Sequence, residues 1–305
     1  MTERLKVAVL MGGISAERDV SLSTGRQILG ALDDAKYAVT PLDTSDVSAL
    51  LSALSGHRPD VAVIALHGKG GEDGTLQGLL DLLSIRYTGS GVLASALAMD
   101  KAMCKRVLMP LGVLMPQDVT LRRGEQVSCD HLTLPVIVKP NAQGSTIGMS
   151  IVRQADELDT ALQVAFNYDD TALIEQFITG TEITVPILGN SELETLPIVE
   201  IVPSGGFYDY HAKYTPGATD EIVPARIPEA LATEARRIAQ LCHRTLGCRG
   251  MSRTDMIITP EGQIYTLEVN TIPGMTPTSL LPRSAEAAGY TFAQLLDRLI
   301  ALALD

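Results

Sequence analysis

The amino-terminal part of the chain alternates continuous apolar runs with amphipathic stretches. Residues 6–11 and 61–66 are rich in Val, Ala, Leu and Ile, a composition typical of parallel strands that are covered on both faces. An amphipathic helix follows the first run and reaches about Leu32, a further strand lies near residues 37–41, and another helix begins at about Thr75. These patterns predict a small doubly wound α/β unit, whose ligands bind at the carboxyl ends of its strands.

The rest of the chain mixes strand-like runs with further amphipathic helices. Asp100 is placed to cap a helix, and residues 134–139 have the composition of a strand. Residues 231–246 and 291–304 have helical periodicity. We predict three domains, with the first boundary near Ala96. They comprise residues 1–96, 97–180 and 181–305.

A hairpin is predicted around Pro260-Glu261-Gly262, because apolar runs flank this turn-like segment on both sides. A loop of two or of four residues places Asp255 opposite Glu268 and Arg253 opposite Asn270. A loop of three residues would slip that register by one and turn the side chains to the other face. We predict the first register.

The predicted hairpin brings oxygen donors to one face. Glu268 and Asn270 are two apart on a strand and share a face, which Asp255 would join from the neighbouring strand. Two carboxylates and an amide suit Mg²⁺, which prefers oxygen ligands and shares its remaining positions with phosphates. The alternative is a hairpin whose acidic residues face water. The segment 271–279 that follows contains two prolines and a glycine, which predicts a loop that offers backbone N–H groups to a substrate.

Composition and charge limit the classes of protein to which this chain can belong. The chain has 305 residues, of which 46% are hydrophobic and 20% charged, enough for two or three domains with a substantial core. A net charge of -12 without a basic tract argues against a nucleic-acid or anionic-membrane surface. The four cysteines lack metal-ligand spacing and fit a reducing cytoplasm. No apolar run is long enough to predict a signal sequence or a membrane span.

The carboxy-terminal pattern resembles that of a known family. Asp255-x₁₂-Glu268-x-Asn270, followed by Pro273-Gly-Met-Thr and Ser279-Leu280, is similar to the signature of the D-alanine-D-alanine ligases, members of the ATP-grasp superfamily. Further segments match the family in the same order along nearly the whole chain. They are Gly12-Gly-x-Ser-Ala-Glu-Arg18, His67-Gly-x-x-Gly-Glu-Asp-Gly74, Lys139 with the glycine- and hydroxyl-bearing loop 141–148, the hinge at 172–178 with Glu182, and the lid at 205–220.

The resemblance implies both a fold and an activity. The fold is an α/β ATP-grasp fold, α+β in the later domains, with an amino-terminal doubly wound parallel-sheet domain and ATP between a small central and a carboxy-terminal domain. The activity is ATP-dependent ligation of two D-alanines through an acyl phosphate, for peptidoglycan synthesis, by a cytoplasmic homodimer. The resemblance also implies two magnesium ions, for which manganese could substitute, and leaves activation by a monovalent cation open. No nucleic-acid or membrane partner is expected.

The resemblance also assigns roles to individual residues. Glu17, Ser145 and Tyr214 would form a hydrogen-bonded set that orients the first D-alanine, with His67 on the substrate side. Arg253 and the Gly274 N–H would hold the tetrahedral oxyanion, and Ser279 and the Leu280 backbone would hold the carboxylate of the second D-alanine. The residues implied to bind ATP are Lys101, Lys139, Ser145, Glu175, Glu182 and Lys213. The residues implied to bind metal are Asp255, Glu268 and Asn270.

Three departures from the family pattern accompany these matches. Ala142-Gln143 replaces a charged pair, Phe177 lies beside the hinge in a chain without tryptophan, and residues 248–252 replace a glycine-aromatic-glycine segment. Two alternatives stay open: a ligase that joins D-alanine to D-lactate or D-serine, against which Tyr214 argues, and a catalytically silent nucleotide-binding protein. A dinucleotide-binding fold is disfavoured, because Gly12-Gly13 lacks the Gly-x-Gly-x-x-Gly spacing.

Overall fold

The computed structural model describes residues 4–126, 132–206, 208, 212–213, 215, 217–276 and 278–305. Within these ranges the chain forms three sheets, each with helices packed against it. Every predicted helix and strand named above is present, with its ends shifted by a few residues.

The first sheet is parallel and four-stranded, in the order β2-β1-β3-β4. Its strands are β1 (Leu5–Met11), β2 (Tyr37–Asp43), β3 (Val61–Ile64) and β4 (Arg86–Tyr87), and its accompanying helices are α1 (Arg18–Ala31), α2 (Val47–Gly56), α3 (Thr75–Leu82) and α4 (Val92–Met99). The doubly wound unit is therefore confirmed. The sequence analysis did not predict β4, because a strand of two residues is too short to show hydrophobic periodicity.

The central sheet is antiparallel, in the order β5-β8-β6-β7. Its elements are α5 (Lys101–Leu108), β5 (Asp118–Arg122), β6 (Val136–Pro140), β7 (Ser150–Val152), α6 (Leu158–Phe166) and β8 (Thr171–Gln176), with 3-10 turns at Met109–Leu111 and Ala155–Glu157. The side chain of Asp100 accepts a hydrogen bond from the Met103 N–H and so caps α5 as predicted. The loop 141–149 connects two antiparallel strands, as expected of a segment that covers phosphates.

The third sheet is also antiparallel, in the order β12-β11-β9-β13-β14, with β10 paired to β9. Its elements are β9 (Thr181–Gly189), β10 (Leu193–Thr195), β11 (Val199–Pro203), β12 (Thr219–Ile222), α7 (Glu229–Leu246), β13 (Gly250–Ile258) and β14 (Ile264–Asn270), followed by α8 (Leu280–Ala287) and α9 (Phe292–Leu304). Among the described residues, no helix is both long and apolar enough to cross a membrane.

The last two helices pack between the first and third sheets and join the core of the first. Leu295 and Leu299 of α9 lie in one hydrophobic core with Val7 and Val63, and Asp297 contacts Lys36 and the Tyr37 hydroxyl at 2.6 and 2.7 Å. The predicted 1–96 and 181–305 domains thus share a core. The predicted boundary near Ala96 falls inside α4, and the three-domain division remains a prediction.

The hairpin β13–β14 has the predicted register at its functional end, but not through the predicted turn. The Thr259 N–H donates to the Gln263 carbonyl at 2.9 Å, which leaves a three-residue loop that ends at Gly262 with φ +84°. The expectation of two or four loop residues is therefore wrong, and Met256 pairs with Thr266.

A β-bulge between Asp255 and Met256 then shifts the register by one residue. Leu267 is the extra residue on β14, and beyond it Asp255 stands opposite Glu268 and Arg253 opposite Asn270. The two predicted pairs are therefore confirmed. The three-residue loop shifts the register by one residue, and the bulge shifts it back.

Candidate active site

A long cavity separates the central and third sheets. Its walls are the hinge at 176–180, the loop 143–149 and the β13–β14 hairpin. Apolar side chains line much of it, including Ile137, Phe177 and Leu267, and charged side chains line the rest. Phe177 therefore supplies an apolar wall where the family pattern has tryptophan nearby. The predicted ATP ligands that line this cavity are Lys101, Lys139, Glu175, Glu182 and Lys213.

Glu175 and Lys139 form a buried ion pair in the wall of the cavity. Lys139 Nζ lies 2.5 Å from Glu175 Oε2. Burial opposes ionisation of both groups, but their mutual attraction raises the pKa of Lys139 and, together with Lys105, lowers the pKa of Glu175. Glu175 therefore contacts two lysines directly. It would influence a bound ligand through Lys139, whose position it holds.

Glu182, on β9 at the same cavity, is partly buried, and the nearby Lys213 and Arg253 only partly offset the effect of burial on its pKa. Burial raises the pKa of Glu182 to about 7. With this pKa, the carboxyl group is protonated in a fraction of the molecules near neutral pH. The protonated form can donate a hydrogen bond to a ribose hydroxyl, and either form can accept one.

The hairpin brings the predicted metal ligands together. Asp255 and Glu268 face each other across the ladder, and the Asn270 amide donates to Asp255 Oδ2 at 3.1 Å. Arg253 contacts both oxygens of Asp255, at 2.9 and 2.8 Å, and Thr184 donates to Asp255 Oδ1 at 2.5 Å. Asp255 is thus firmly oriented by its neighbours.

Glu268 carries the other negative charge of this set. Its Oε2 lies 3.6 Å from Lys101 Nζ. Burial opposes ionisation, but Lys101 and the nearby Lys213, Lys139 and Arg253 together lower the pKa of Glu268 to about 2. Glu268 is therefore a carboxylate at any physiological pH.

These donors fit a divalent cation. Within the described ranges no three His, Cys, Asp or Glu side chains form a ready-made metal site, so the set consists of two carboxylates and one amide. All three groups offer oxygen, which is the ligand that Mg²⁺ prefers, and so few protein ligands leave positions for phosphate oxygens and water.

A second, more polar cavity adjoins the first sheet. Glu17, at the start of α1, is 3% exposed, and one of its oxygens accepts a hydrogen bond from the Ser145 hydroxyl. Its other oxygen, Oε2, has no hydrogen-bond partner among the described residues. Burial and the nearby Glu72 raise the pKa of Glu17, whereas the bond from Ser145 lowers it. A substrate ammonium would satisfy this orphan oxygen.

His67 lines the same cavity and is fixed on both sides. Its Nε2 lies 3.0 Å from the Thr24 hydroxyl and its Nδ1 lies 3.3 Å from Glu72 Oε1. The structure thus places His67 in the same cavity as Glu17, and its role on the substrate side remains a prediction. Tyr214, the third member of the predicted set, lies outside the described residues.

The opposite wall is the loop before α8. The Ser279 hydroxyl accepts from the Thr276 N–H at 2.9 Å and does not cap α8. The first N–H groups of a helix have no acceptor within the helix, so the N–H groups at Leu280 remain for a substrate carboxylate. A Cβ at Gly274 would come within 2.8 Å of Ser279 Oγ, and glycine therefore lets the backbone approach closely.

The two cavities meet at their charged ends. The residues that line both are Gly144, Tyr208, Lys213 and Glu268. Lys213 Nζ also lies 5.1 Å from the centre of the Tyr208 ring. A group that is transferred between a ligand in one cavity and a ligand in the other would pass this junction, which both Lys213 and Glu268 line.

Sequence reasoning missed three residues of the site. Lys105 contacts Glu175, Glu72 contacts His67, and Thr184 contacts Asp255. Lys105 follows Lys101 by four residues on a predicted helix, a spacing that places both on one face and could have indicated it. Glu72 belongs to a recognised motif without an assigned role, and Thr184 gave no signal.

The structure also accounts for the unusual segment at residues 248–252. The Arg249 guanidinium lies 4.8 Å from the centre of the Tyr87 ring, and its Nε donates to the Gly89 carbonyl at 3.1 Å. The Ser252 hydroxyl lies 2.7 Å from His243 Nδ1 in the core. Arg249 thus ties β13 to the first domain, and Ser252 pairs with a buried histidine.

Comparisons with known proteins agree with this geometry. A family model for the D-ala D-ala ligase C-terminus matches residues 108–301, and one for the D-ala D-ala ligase N-terminus matches residues 47–90. The D-alanine--D-alanine ligase of Pelotomaculum thermopropionicum is 48% identical over 312 residues, which cover 99% of this chain and 97% of that protein.

Solved structures give the same answer. The D-alanine--D-alanine ligase from Bacillus anthracis complexed with ATP has a TM-score of 0.87 at 37% identity, covering 98% of this chain and 97% of its own. The VanG D-Ala:D-Ser ligase from Enterococcus faecalis has a TM-score of 0.84 at 33% identity, and the match covers 99% of this chain and 100% of that one. The predicted ATP-grasp fold is confirmed. With a family model over more than half its length and a full-length relative that is 48% identical, the chain belongs to the D-alanine-D-alanine ligase family.

Proposed function

We propose that the protein joins two D-alanines to D-alanyl-D-alanine while converting ATP to ADP and phosphate, the dipeptide serving peptidoglycan synthesis. The observation that carries this proposal is the junction of the two cavities at Lys213 and Glu268. One cavity has an apolar wall and three lysines, which suits a nucleoside triphosphate. The other has an orphan carboxylate oxygen and a helix start, which suit an amino acid's ammonium and carboxylate.

The reaction runs in two steps across this junction. The carboxylate of the first D-alanine attacks the γ-phosphorus of ATP, which forms an acyl phosphate and releases ADP. The amine of the second D-alanine then attacks the acyl carbon, and the carbon–oxygen bond to phosphate breaks. Lys101, Lys139 and Lys213 neutralise the phosphate charges in the first step. Arg253 and the Gly274 N–H stabilise the oxyanion of the second.

The amino acids are held at opposite walls of the second cavity. Glu17 accepts the ammonium of the first D-alanine through Oε2, and Ser145 fixes the other oxygen of Glu17. Ser279 and the Leu280 N–H hold the carboxylate of the second, where the start of α8 favours negative charge. Tyr214, which lies outside the described residues, would belong to this set by the family resemblance alone.

Asp255, Glu268 and Asn270 would hold magnesium. When bound, magnesium would supply positive charge that offsets the charge developing during phosphoryl transfer. Arg253 contacts both oxygens of Asp255, at 2.9 and 2.8 Å, and so orients this carboxylate. We further propose that the protein is a cytoplasmic homodimer; three described cysteines are free thiols buried in the fold, as a reducing compartment allows.

The test is phosphate release from ATP and magnesium, with products identified by mass. The amino-acid arms are D-alanine, L-alanine, D-alanine with D-lactate, and D-alanine with D-serine. We expect release with D-alanine alone and D-alanyl-D-alanine as the product. D-alanyl-D-serine as the main product would assign the acceptor named for VanG, and silence in every arm would make the chain a nucleotide-binding protein.

A further inference from the structure

Behind the wall of the nucleotide cavity, near the hinge, lies a buried lysine that the proposed reaction does not use. Lys105 Nζ lies 2.8 Å from Glu175 Oε1, 2.9 Å from Asp118 Oδ1 and 2.6 Å from the Pro116 carbonyl oxygen. An ammonium has three N–H donors, so these contacts occupy all of them. The side chain is 3% exposed and lies behind the cavity wall. Lys105 therefore acts on its protein neighbours.

Lys105 lies between two carboxylates that the central sheet brings together. Asp118 on β5 and Glu175 on β8 are directly opposite in the antiparallel ladder, a position in which like charges repel. The other oxygen of Glu175 contacts Lys139, whose side chain reaches the nucleotide cavity. The four side chains thus alternate in charge, in the order Asp118, Lys105, Glu175 and Lys139, and their charges cancel.

We infer that Lys105 is a positioning residue, which balances the charge of Asp118 and Glu175 so that Lys139 remains available to ATP. This inference rests on the proposed function, because it requires a nucleotide in the cavity. Glu175 takes one of the three donors of Lys139. Without Lys105, two carboxylates face one lysine, which draws the Lys139 ammonium toward the sheet and leaves a negative charge beside the triphosphate.

The experiment measures ATP binding by calorimetry with magnesium and without amino acid, and then the KM values and kcat. Lys105→Met should weaken ATP binding and raise the ATP KM about 10- to 100-fold, because it leaves a buried charge unbalanced. The D-alanine KM should stay within about twofold of wild type, since no contact in the second cavity changes. Arg106→Met is the matched control, because it removes a charge from the same helix at an exposed position, and it should match the wild type.

Charge restoration separates balancing from packing. Lys105→Met/Asp118→Asn removes one charge of each sign, and ATP affinity should recover about tenfold relative to Lys105→Met. A merely structural lysine would instead lower the melting temperature and affect both KM values, without rescue by the second change. Unchanged ATP affinity in Lys105→Met, or no recovery in the double variant, overturns the inference.

A milder variant covers the case in which Lys105→Met does not fold. Asp118→Asn keeps every lysine and leaves a surplus positive charge, so ATP should bind as tightly as to wild type or more tightly. Weaker ATP binding in Asp118→Asn contradicts charge balancing. The proposed function is judged separately, by the dipeptide that the wild type forms. Dipeptide formation with normal ATP binding in Lys105→Met defeats the inference alone, whereas ATP binding that depends on Lys105 without any dipeptide defeats the proposed reaction alone.

Discussion

The Arg253 guanidinium contacts both oxygens of Asp255, and at 13% side-chain exposure it is nearly enclosed. Burial opposes its charge, but Asp255 outweighs burial and raises the pKa of Arg253. It is therefore a permanent cation at the wall of the amino-acid cavity. An arginine in this position orients Asp255, and in the proposed reaction it would also offer N–H donors to a developing oxyanion.

Arg253→Ala should lower kcat by about 10²- to 10³-fold or more, the usual effect of losing one oxyanion donor. The variant also leaves Asp255 without its cation. Steady-state phosphate release with D-alanine measures the loss. Arg253→Lys keeps the positive charge but not the paired N–H donors, and its kcat should lie between those of wild type and Arg253→Ala. Near-normal turnover of Arg253→Ala would remove the residue from the mechanism.

His243 connects one side chain to the stability of the whole chain. It lies in the core, where burial lowers the pKa of His243 to about 4, compared with about 6.5 in an unfolded chain. Below pH 6.5 the unfolded chain therefore binds a proton that the folded protein does not. The free energy of unfolding should fall by about 2 kcal/mol between pH 7 and pH 5 through this group.

Urea unfolding of wild type and His243→Gln at pH 7 and pH 5 measures this contribution. The variant is expected to lose less stability on acidification than the wild type, while above pH 7 the histidine contributes no pH dependence. His57→Gln, at an exposed position, serves as the control and should follow the wild type. Equal pH dependence in wild type and His243→Gln would show that folding does not change the pKa of His243.

At this scale, local motifs predicted the reactive groups but not their partners. Glu17, His67 and Ser145 were indicated by short segments, and the structure brings them to one cavity. Lys105 was not, because its partners Asp118 and Glu175 are fixed by strand pairing rather than by spacing along the chain. The same holds for His243, whose contact with Ser252 depends on how α7 packs against β13.

At the scale of elements, the hairpin β13–β14 places two neighbouring residues on one cavity. Strand side chains normally alternate between faces, yet Leu267 and Glu268 both line the nucleotide cavity. The bulge at this point breaks the alternation. One strand thereby supplies both an apolar wall and a carboxylate that is proposed to bind metal.

Substitutions of these neighbours should therefore have different effects. Leu267→Ala should raise the ATP KM a few-fold, with an unchanged magnesium titration, because it removes only apolar contact. Glu268→Gln should raise the magnesium requirement and lower kcat, because it removes a charge from the metal set. Magnesium titrations of phosphate release distinguish the two. An unchanged titration in Glu268→Gln would refute the metal assignment.

The register of this hairpin shows what the sequence determines at this scale. The pairing of Asp255 with Glu268 was predicted from a loop of two or four residues, and the actual loop has three. Turn composition indicates that a turn exists, but the number of loop residues also depends on Gly262 taking a positive φ. The bulge lies inside the strands, where apolar residues continue on both sides and mask it.

At the scale of the whole molecule, the nucleotide cavity lies between the central and third sheets. ATP that binds the folded protein but not the unfolded chain should raise the free energy of unfolding. At about 100 times the Kd, MgATP is expected to raise the melting temperature by about 4 °C. Differential scanning fluorimetry measures the shift. AMP, which lacks the phosphates that meet Lys101 and Lys213, should give a smaller one, and equal shifts would remove the lysines from nucleotide binding.

The order of motifs along the chain predicted the architecture, since each motif marks one edge or loop of the ATP-grasp fold. It did not predict that α8 and α9 join the core of the first sheet. Their apolar faces are visible in the sequence, but an apolar face does not say which sheet covers it. That choice depends on contacts between residues more than 200 positions apart, such as Lys36 with Asp297.

This shared core affects how the protein is made. The first sheet cannot complete its interior until residues as late as Ala303 have left the ribosome. At about 5 to 20 residues per second, the sheet waits roughly ten seconds to a minute after Ile64 is synthesised. Its apolar surface is open during that interval, so this domain, although first in the chain, finishes folding last and is the part that a chaperone would meet.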